Sequence, residues 1–261
     1  MKKIESFTNK AIKWVKKLLN DSKQRKQENL AVVETKKIFL TILESTDSKN
    51  IEAIFVTNDF LMENKRLLHK FDQKIYLCPN SIFNSASGLK TPDGIICVFR
   101  PNKNKIIYDK ANNYIALYNL QNPHNLGAVI RSCLGFNIKG IYLIGNCCDL
   151  YHPEVIRSSM GYVFKMPTEK FNSFDYFLQY VKTNKMNLLA MANNDRAIDI
   201  FSYKNKHNNC FMIGNEGWGL PNDILNKCST IIKIPLSKEV ESLNASVAAS
   251  IVAFYLDHER N

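Results

Sequence analysis

The sequence predicts an α/β protein of two domains, in which a small α/β domain precedes a larger one built on a parallel sheet. A chain of 261 residues is long for one core and sufficient for two modest domains. After residue 112, near-continuous apolar runs alternate with helical stretches, which is typical of a parallel sheet covered on both faces. The polar segment RPNKNK at 100–105 contains a proline and is typical of a linker. We therefore expect domains at residues 1–105 and 106–261.

The first domain is predicted to start with helix and to continue as alternating strands and helices. Residues 8–46 have the pattern of helix, either continuous or broken near residues 20–26. The strand-like runs that follow are IEAIFVT (51–57), KIYLC (74–78) and GIICVFR (94–100). This alternation indicates a small α/β domain.

Five apolar runs are the candidate strands of the second domain. They are YIALYNL (114–120), GIYLIG (140–145), NLLAMAN (187–193), CFMIGN (210–215) and TIIKIPL (230–236). Helices are predicted to start near Asn125, Pro153, Ser173 and Pro221, and a last helix is predicted over 244–259. We find no internal repeat and no low-complexity tract.

Positive charge is concentrated near the N-terminus. The net charge is +11, and residues 1–37 hold 11 Lys or Arg against four Asp or Glu, which is +7 of that total. A solubilising basic terminus and a phosphate-binding face are both open explanations. We favour the phosphate-binding face, because a strongly basic protein attracts polyanions. Composition does not separate RNA from DNA.

Several classes of protein are excluded by what the sequence lacks. No apolar stretch approaches the roughly 20 residues that span a bilayer, so no membrane role is expected. Charged residues interrupt any signal-peptide core at the start, so we expect a cytoplasmic location with seven reduced, structural Cys. No C-x-x-C pair or histidine pattern indicates a metal site, and no P-loop, G-x-S-x-G or H-E-x-x-H motif occurs.

Unusual polar and glycine-rich clusters follow three of the predicted strands. NPHNLGAVIR (122–131) follows the first strand of the second domain, GNEGWGLP (214–221) the fourth and IPLSKEVESLNAS (234–246) the fifth. Ligands of parallel α/β sheets collect at the carboxyl ends of the strands. We therefore expect the three clusters to form one site.

The three clusters, in this order, resemble the motifs of the SpoU (TrmH-type) RNA ribose methyltransferases of the SPOUT superfamily. The matching residues are Asn125, Gly127 and Arg131 in the first motif, Gly214, Glu216 and Gly219 in the second, and Ile234, Pro235, Ser242, Leu243 and Asn244 in the third. YHPEVIRSSMG (151–161) resembles an intervening segment of the family. Residues 25–43 and 87–98 resemble the ribosomal-protein-like RNA-binding domain that often precedes the catalytic one.

The resemblance implies more than the spacing does. It implies S-adenosyl-L-methionine as the methyl donor, transfer to a ribose 2′-hydroxyl and a homodimer. It also implies a deep trefoil knot in the parallel-sheet domain, which would be a rare exception to unknotted topology. The appended first domain favours ribosomal RNA over transfer RNA as the substrate.

Site residues follow from the motifs together with their chemistry. The resemblance sets Gly214, Gly219, Ile234 and Leu243 against the cofactor, and glycines allow backbone to approach a ligand closely. Asn244 precedes a helix rich in small residues, so it is predicted to cap that helix and also to belong to the site.

Arg131, Asn125 and Glu216 are predicted to act on the substrate. We expect Arg131 to grip an RNA phosphate, although some schemes for the family make this Arg the base. Glu216 is the carboxylate at the centre of the clusters, and it either orients Arg131 or Asn125 or serves as the base itself. The resemblance also implies that Arg157 and Ser159 reach RNA at the partner's site. An exposed Arg and a capping Ser explain that pair equally well.

Two rival functions remain open at this stage. One is a non-catalytic RNA-binding or ribosome-assembly protein on the same fold, and the other is a methyltransferase acting on a base. Two departures from the family pattern, Lys238 and Thr35 where glycine is usual, leave the RNA target undetermined. The intact Asn125, Arg131 and SLN signatures favour ribose methylation.

Overall fold

The protein is described by a computed structural model over residues 1–45, 48–204 and 208–258. The chain divides into two compact units. The first comprises Met1–Asn102 and Tyr151–Phe164, and the second comprises Lys103–Leu150 and Lys165–Asn261.

The first unit contains a five-stranded mixed sheet. Its strands are β1 (Lys2–Lys3), β2 (Ala31–Val33), β3 (Ile51–Val56), β4 (Ile75–Leu77) and β5 (Ile95–Phe99). Their order is β1-β4-β3-β5-β2, with parallel pairing from β1 to β3 and antiparallel pairing of β5 with both β3 and β2. The three strands predicted for this domain are confirmed.

Among the described residues of Met1–Asn102, six α-helices accompany this sheet. They are α1 (Lys10–Asn20), α2 (Ser22–Glu28), α3 (Lys36–Ser45), α4 (Asn58–Glu63), α5 (Lys65–Leu68) and α6 (Asn80–Ala86). Ile12, Val15 and Leu18 line the buried face of α1 and pack beneath the sheet in one apolar core. Amphipathic spacing of this kind explains why α1 forms and which face it buries.

The prediction of unbroken or once-broken helix through residues 8–46 is wrong at Ala31–Val33, and residue 46 lies outside the described residues. Asn29 ends α2 in the left-handed conformation, with φ of 53°. The next residues then form β2, in which all three side chains are buried. Pairing with β5 overrides the local helical preference.

The second unit contains a seven-stranded parallel sheet. Its strands are β6 (Tyr114–Tyr118), β7 (Ile141–Ile144), β8 (Thr168–Phe171), β9 (Asn187–Met191), β10 (Ile198–Asp199), β11 (Asn209–Ile213) and β12 (Thr230–Lys233). The order is β10-β12-β9-β11-β6-β7-β8, and every pairing is parallel. The parallel α/β architecture is confirmed with its five predicted strands, while β8 and β10 were missed because they are short and partly polar. The trefoil knot stays a prediction.

In the part of the second unit that the structure describes there are four α-helices. They are α7 (Pro123–Gly135), α9 (Phe174–Thr183), α10 (Asn222–Leu225) and α11 (Ala245–His258). Their N-terminal boundaries lie within a few residues of the predicted starts, and residue 259 of the predicted last helix lies outside the described residues. Helices α7 and α11 pack against each other, and Ser250 Oγ donates to Ser132 Oγ over 2.7 Å between them.

The remaining helix, α8 (Pro153–Ser158), belongs to a segment that leaves the second unit after β7 and returns before β8. Within the first unit, α8 packs against β2, and the ring of Phe164 meets that of Phe99 edge-on with centroids 4.9 Å apart. The sequence-based boundary assigned Tyr151–Phe164 to the second domain, whereas its contacts are with the first. Among the described residues, no helix is both long and apolar enough to cross a bilayer.

Candidate active site

The three motif clusters follow strands of one sheet and meet at the same edge. The first follows β6, the second follows β11 and the third follows β12. Strands β6 and β11 are direct neighbours, and β9 separates β11 from β12. Because all pairings are parallel, the carboxyl ends of these strands share one edge.

The start of α7 is joined to the loop after β11. Asn122 caps this helix, since its side chain accepts from the His124 N–H over 2.9 Å, and Pro123 occupies the first helical position. The backbone N–H of Asn122 donates to Glu216 Oε1 over 3.1 Å. This hydrogen bond joins the capped start of α7, in the first motif, to the second motif.

A chain of side-chain hydrogen bonds links all three motifs. Asn125 Nδ2 donates to Glu216 Oε1 over 3.1 Å, and Asn244 Nδ2 donates to Asn125 Oδ1 over 3.1 Å. Asn125 is only 7% exposed, so its orientation is fixed by these two partners. The expected convergence of the clusters on one site is met by Glu216, Asn125 and Asn244.

Asn244 also begins α11. Its Oδ1 accepts from the backbone N–H of Ser246 over 2.8 Å and from the Ser246 hydroxyl over 2.7 Å. One amide thus caps a helix and bonds to the neighbouring motif, as the two expectations for this residue required.

The loop after β11 is closed by its own backbone. Asn215 and Gly219 exchange two hydrogen bonds, with Asn215 N–H to Gly219 O at 3.1 Å and Gly219 N–H to Asn215 O at 3.0 Å. Asn215 Nδ2 also donates to the carbonyl of Asn119 over 2.8 Å, and its Oδ1 accepts from the Gly217 N–H over 2.8 Å. Asn215 was not singled out from the sequence, although it lies inside the second motif.

Two glycines are required by this loop for different reasons. A Cβ on Gly214 would lie 2.2 Å from the backbone carbon of Gly219, so no larger residue fits there. Gly219 has φ of +65°, a conformation that L side chains rarely adopt, and the space beside it is open. The loop is therefore closely packed at Gly214, whereas at Gly219 it is open to an approaching ligand.

These features fit the adenosyl and methionine portions of S-adenosylmethionine. The space beside Gly219 is open, so a ligand can approach its backbone closely, and the half-buried Ile234 and Leu243 offer apolar surface for a purine. The role of Ile234, Leu243 and Gly214 in binding the cofactor stays a prediction. The described residues contain no group of His, Cys, Asp or Glu arranged to hold a metal ion.

Arg131 lies farther into its helix than the sequence indicated. Because α7 begins at Pro123, Arg131 is in its third turn, where the helix dipole no longer disfavours a cation. Arg131 is exposed and forms no hydrogen bond or ion pair with the described part of the chain, so its guanidinium is available to a ligand.

Arg157 and Ser159 lie in the segment that packs with the first unit. Arg157 forms ion pairs with Glu34 at 3.0 Å and with Glu154 at 2.8 Å. Ser159 is fully buried, and its hydroxyl donates to the Ile156 carbonyl over 3.2 Å. Both residues therefore have structural partners in this chain, and their contact with RNA stays a prediction.

Cys148 lies near the acidic centre of the site. Burial, and to a lesser extent the neighbouring Cys147, Asp149 and Glu216, raise the pKa of its thiol to about 12. A thiol with so high a pKa stays protonated at neutral pH and does not serve as a nucleophile or base. Among the groups at this site, Glu216 remains the carboxylate that can accept a proton.

Comparison with known proteins identifies the chain's relatives. A model of the SpoU rRNA Methylase family matches residues 112–254, more than half of the chain, and a model of the MRM3-like substrate binding domain matches residues 9–97. The chain is 25% identical to the 23S rRNA (guanosine(2553)-2′-O)-methyltransferase RlmP of Bacillus subtilis over 98% of its own length and 99% of that protein's.

Solved structures match the whole chain. A crystal structure of an AdoMet-bound rRNA methyltransferase from Sinorhizobium meliloti matches with a TM-score of 0.87 at 20% identity, over 98% of this chain and 97% of that one. A crystal structure of an RNA 2′-O ribose methyltransferase matches with a TM-score of 0.82 at 24% identity, over 99% of both chains. At these identities the likeness establishes the fold.

Fold and site together define an α/β RNA methyltransferase whose site lies at the carboxyl ends of a parallel sheet. The chain belongs to the SpoU rRNA methylase family. Membership of this family confirms the resemblance found in the three motifs.

Proposed function

We propose that this protein methylates a ribose 2′-hydroxyl of ribosomal RNA, with Glu216, Asn125 and Asn244 at the reacting centre. The observation that carries the proposal is the hydrogen-bonded chain through these three side chains, which joins three strand ends. When bound, S-adenosylmethionine supplies a methyl group on a sulfonium, and the protein must align the hydroxyl with it.

Glu216 is the proposed acceptor of the hydroxyl proton. Its Oε1 already accepts from Asn122 and Asn125, whereas its Oε2 accepts no hydrogen bond from the described residues. The two donors hold the carboxylate in one orientation and leave one oxygen for the substrate. A carboxylate in this position can accept the 2′-hydroxyl proton as the methyl group is transferred.

Arg131 is proposed to bind a phosphate of the same RNA strand. It lies on α7, the helix that carries Asn125, and is exposed without a protein partner in the described chain. Guanidinium matches phosphate oxygens with two parallel hydrogen bonds. Because guanidinium stays protonated in proteins, positioning rather than proton transfer is its role.

Ribosomal RNA is the proposed substrate class. RlmP of Bacillus subtilis is named for a nucleotide of 23S rRNA, and a substrate-binding domain model matches the first part of the chain. The first helices of that unit also present exposed cations, at Lys10, Lys13, Lys17, Lys23 and Lys26. Such a face attracts the phosphate backbone without reading sequence. We propose a cytoplasmic location, since ribosomal RNA is there.

A homodimer is proposed from the surface of α7 and α11. The groove between these helices is lined by Phe136, Ser246, Val247, Ser250, Ile251 and Phe254. Phe254 is 56% exposed and Val247 45% exposed, which is costly for apolar side chains that stay in water. A second copy of the same chain would cover both helices on each protomer.

The test uses purified protein, labelled S-adenosylmethionine and total RNA from a strain lacking this gene. We expect label in ribosomal RNA that survives digestion as a 2′-O-methylated nucleoside. Arg131→Ala should reduce labelling at limiting RNA by at least tenfold, because it removes a charge-assisted contact. Lys139→Ala, which removes another exposed cation that follows the same helix, is the matched control and should stay within about twofold.

Each result decides between functions. Label in transfer RNA alone would overturn the proposed substrate class but keep the reaction. Cofactor binding without label in any RNA would contradict the proposal for mature RNA, and labelling of ribosome assembly intermediates would then restore it. A protein that binds RNA but neither cofactor nor label would support the non-catalytic alternative.

A further inference from the structure

Trp218 is an aromatic side chain exposed on an otherwise fixed loop. It is 64% exposed, and among the described residues it has no hydrogen bond, ring contact or cation above its ring. The chain has two Trp residues, and the other, Trp14, donates through Nε1 to Glu28 over 2.8 Å. Trp usually buries its large surface in a core or an interface.

The backbone holds Trp218 in one place. The paired hydrogen bonds between Asn215 and Gly219 close the loop on either side of it, and the side chain of Asn215 ties the loop to Asn119. An exposed indole on a closed loop loses little conformational freedom when a ligand covers it. This rigidity favours a binding role over an incidental exposed residue.

Its position is beside the reacting centre. Trp218 follows Glu216 by two residues, so their Cα atoms lie within about 7 Å. Glu216 in turn contacts Asn122 and Asn125 at the start of α7. Any RNA that presents a ribose to Glu216 therefore brings nucleotides to within reach of the indole.

The neighbours of Trp218 favour a flat ligand. Gly217 and Gly219 flank it, carry no side chains and leave the ring faces uncovered, and the space beside Gly219 is open. A protein interface would surround the indole with apolar side chains, whereas the exposed residues here are glycines and Glu216. Nucleobases present flat π-faces that stack on aromatic rings.

We propose that Trp218 is a stacking platform for an unpaired base of the substrate RNA, at or next to the nucleotide that is methylated. The inference rests on the proposed function and adds a requirement on the substrate. The target must lie in a loop or bulge whose bases can leave their stack. Phosphate contacts such as that of Arg131 would set the position of the RNA strand along the protein surface, and Trp218 would hold the base.

The first test measures RNA binding by tryptophan fluorescence, without turnover. In a Trp14→Phe protein all tryptophan emission comes from Trp218. We expect a single-stranded oligoadenylate ten-mer to quench this emission, and a ten-base-pair RNA duplex or S-adenosylmethionine alone to leave it nearly unchanged. Quenching by S-adenosylmethionine alone would overturn the proposal in favour of a cofactor contact. Oligoadenylate that binds in a filter assay without quenching would overturn it as well.

The second test reads turnover. Trp218→Ala should raise KM for the methylated RNA by about 5- to 100-fold, the loss expected when one base–aromatic stack is removed. Trp218→Phe should restore most of it, and the Kd for S-adenosylmethionine should not change. Tyr176→Ala removes an aromatic side chain that is 65% exposed on α9 and serves as the matched control.

The outcomes separate this inference from the proposed function. If the natural protein labels RNA and Trp218→Ala labels it with the same KM, the stacking role is refuted and the methyltransferase stands. If the natural protein labels no RNA, the proposed function fails. The fluorescence quenching then tests separately whether Trp218 stacks on a base. Loss of the dimer in Trp218→Ala on gel filtration would assign the indole to a protein interface instead.

Discussion

Asn244 serves two neighbours with one amide. Its oxygen accepts from Ser246 and so begins α11, while its nitrogen donates to Asn125 and so holds that residue toward Glu216. The orientation of the Glu216 carboxylate, the proposed proton acceptor, therefore depends on the cap of a helix that follows a different strand. At this scale the site is a set of short, directional contacts, each of which can be removed by one substitution.

Glu216→Gln is expected to lower kcat about 10²- to 10⁴-fold, because the amide keeps an acceptor for Asn122 and Asn125 but cannot take a proton. The Kd for S-adenosylmethionine should stay within about threefold, measured by calorimetry. Glu241→Gln, on the exposed loop before Asn244, is the control and should leave kcat unchanged. A Glu216→Gln protein with natural kcat would remove this residue from proton transfer.

At the scale of elements, Glu34 joins three pieces of the first unit. It stands between β2 and α3, is 3% exposed, and accepts from Ser87 Oγ at 2.8 Å and from the Gly88 N–H at 2.7 Å. Its other oxygen pairs with Arg157 of the α8 segment. A buried carboxylate with three donors is stable only while all of them remain.

Glu34→Ala is expected to destabilise the first unit by about 2 kcal/mol, because it leaves the Ser87 hydroxyl and the Gly88 N–H without their acceptor and removes one of the two carboxylates paired with Arg157. Urea denaturation followed by Trp14 emission, in a Trp218→Phe background, reports on this unit. Glu52→Ala breaks an exposed pair with Arg100 and should cost less than about 1 kcal/mol. Equal losses for the two variants would show that Glu34 is not a structural hub.

At the scale of the whole molecule, the apolar groove of α7 and α11 and the proposed catalytic contacts share the same two helices. Asn125 lies on α7, and Asn244 caps α11. A partner bound in the groove would therefore contact α7 and α11, the helices that position the site residues. Dimerisation and catalysis are expected to depend on each other for this reason.

Val247→Glu is expected to convert the proposed homodimer to monomer at micromolar concentration and to lower methylation at least tenfold. A charge at the centre of an apolar interface must be desolvated without a partner. Sedimentation velocity measures the mass. Ile107→Glu, at an aliphatic side chain that is 88% exposed elsewhere on the same unit, should leave the mass unchanged. A natural protein that is already monomeric would contradict the dimer.

What the sequence allowed to be predicted depends on the range of the forces involved. Five of the seven strands of the parallel sheet, and the convergence of Asn125, Glu216 and Asn244, follow from local patterns and from the shared edge of parallel strands. Strand β2 was missed because it exists only through pairing with β5. The placement of Arg157 was not predictable either, since its ion pair with Glu34 joins positions 123 residues apart.

Because Tyr151–Phe164 belongs to the first unit but lies between two stretches of the second, it sets the order in which the two units are completed during synthesis. The first unit lacks α8, the ring of Phe164 and the partner of Glu34 until residue 164 has left the ribosome. By then β6, α7 and β7 of the second unit have already been made. At roughly 5–20 residues per second, the wait after residue 102 lasts roughly 3–12 s. Synthesis of the second unit therefore begins before the first unit has all of its residues. For this reason the folding of the two units overlaps in time.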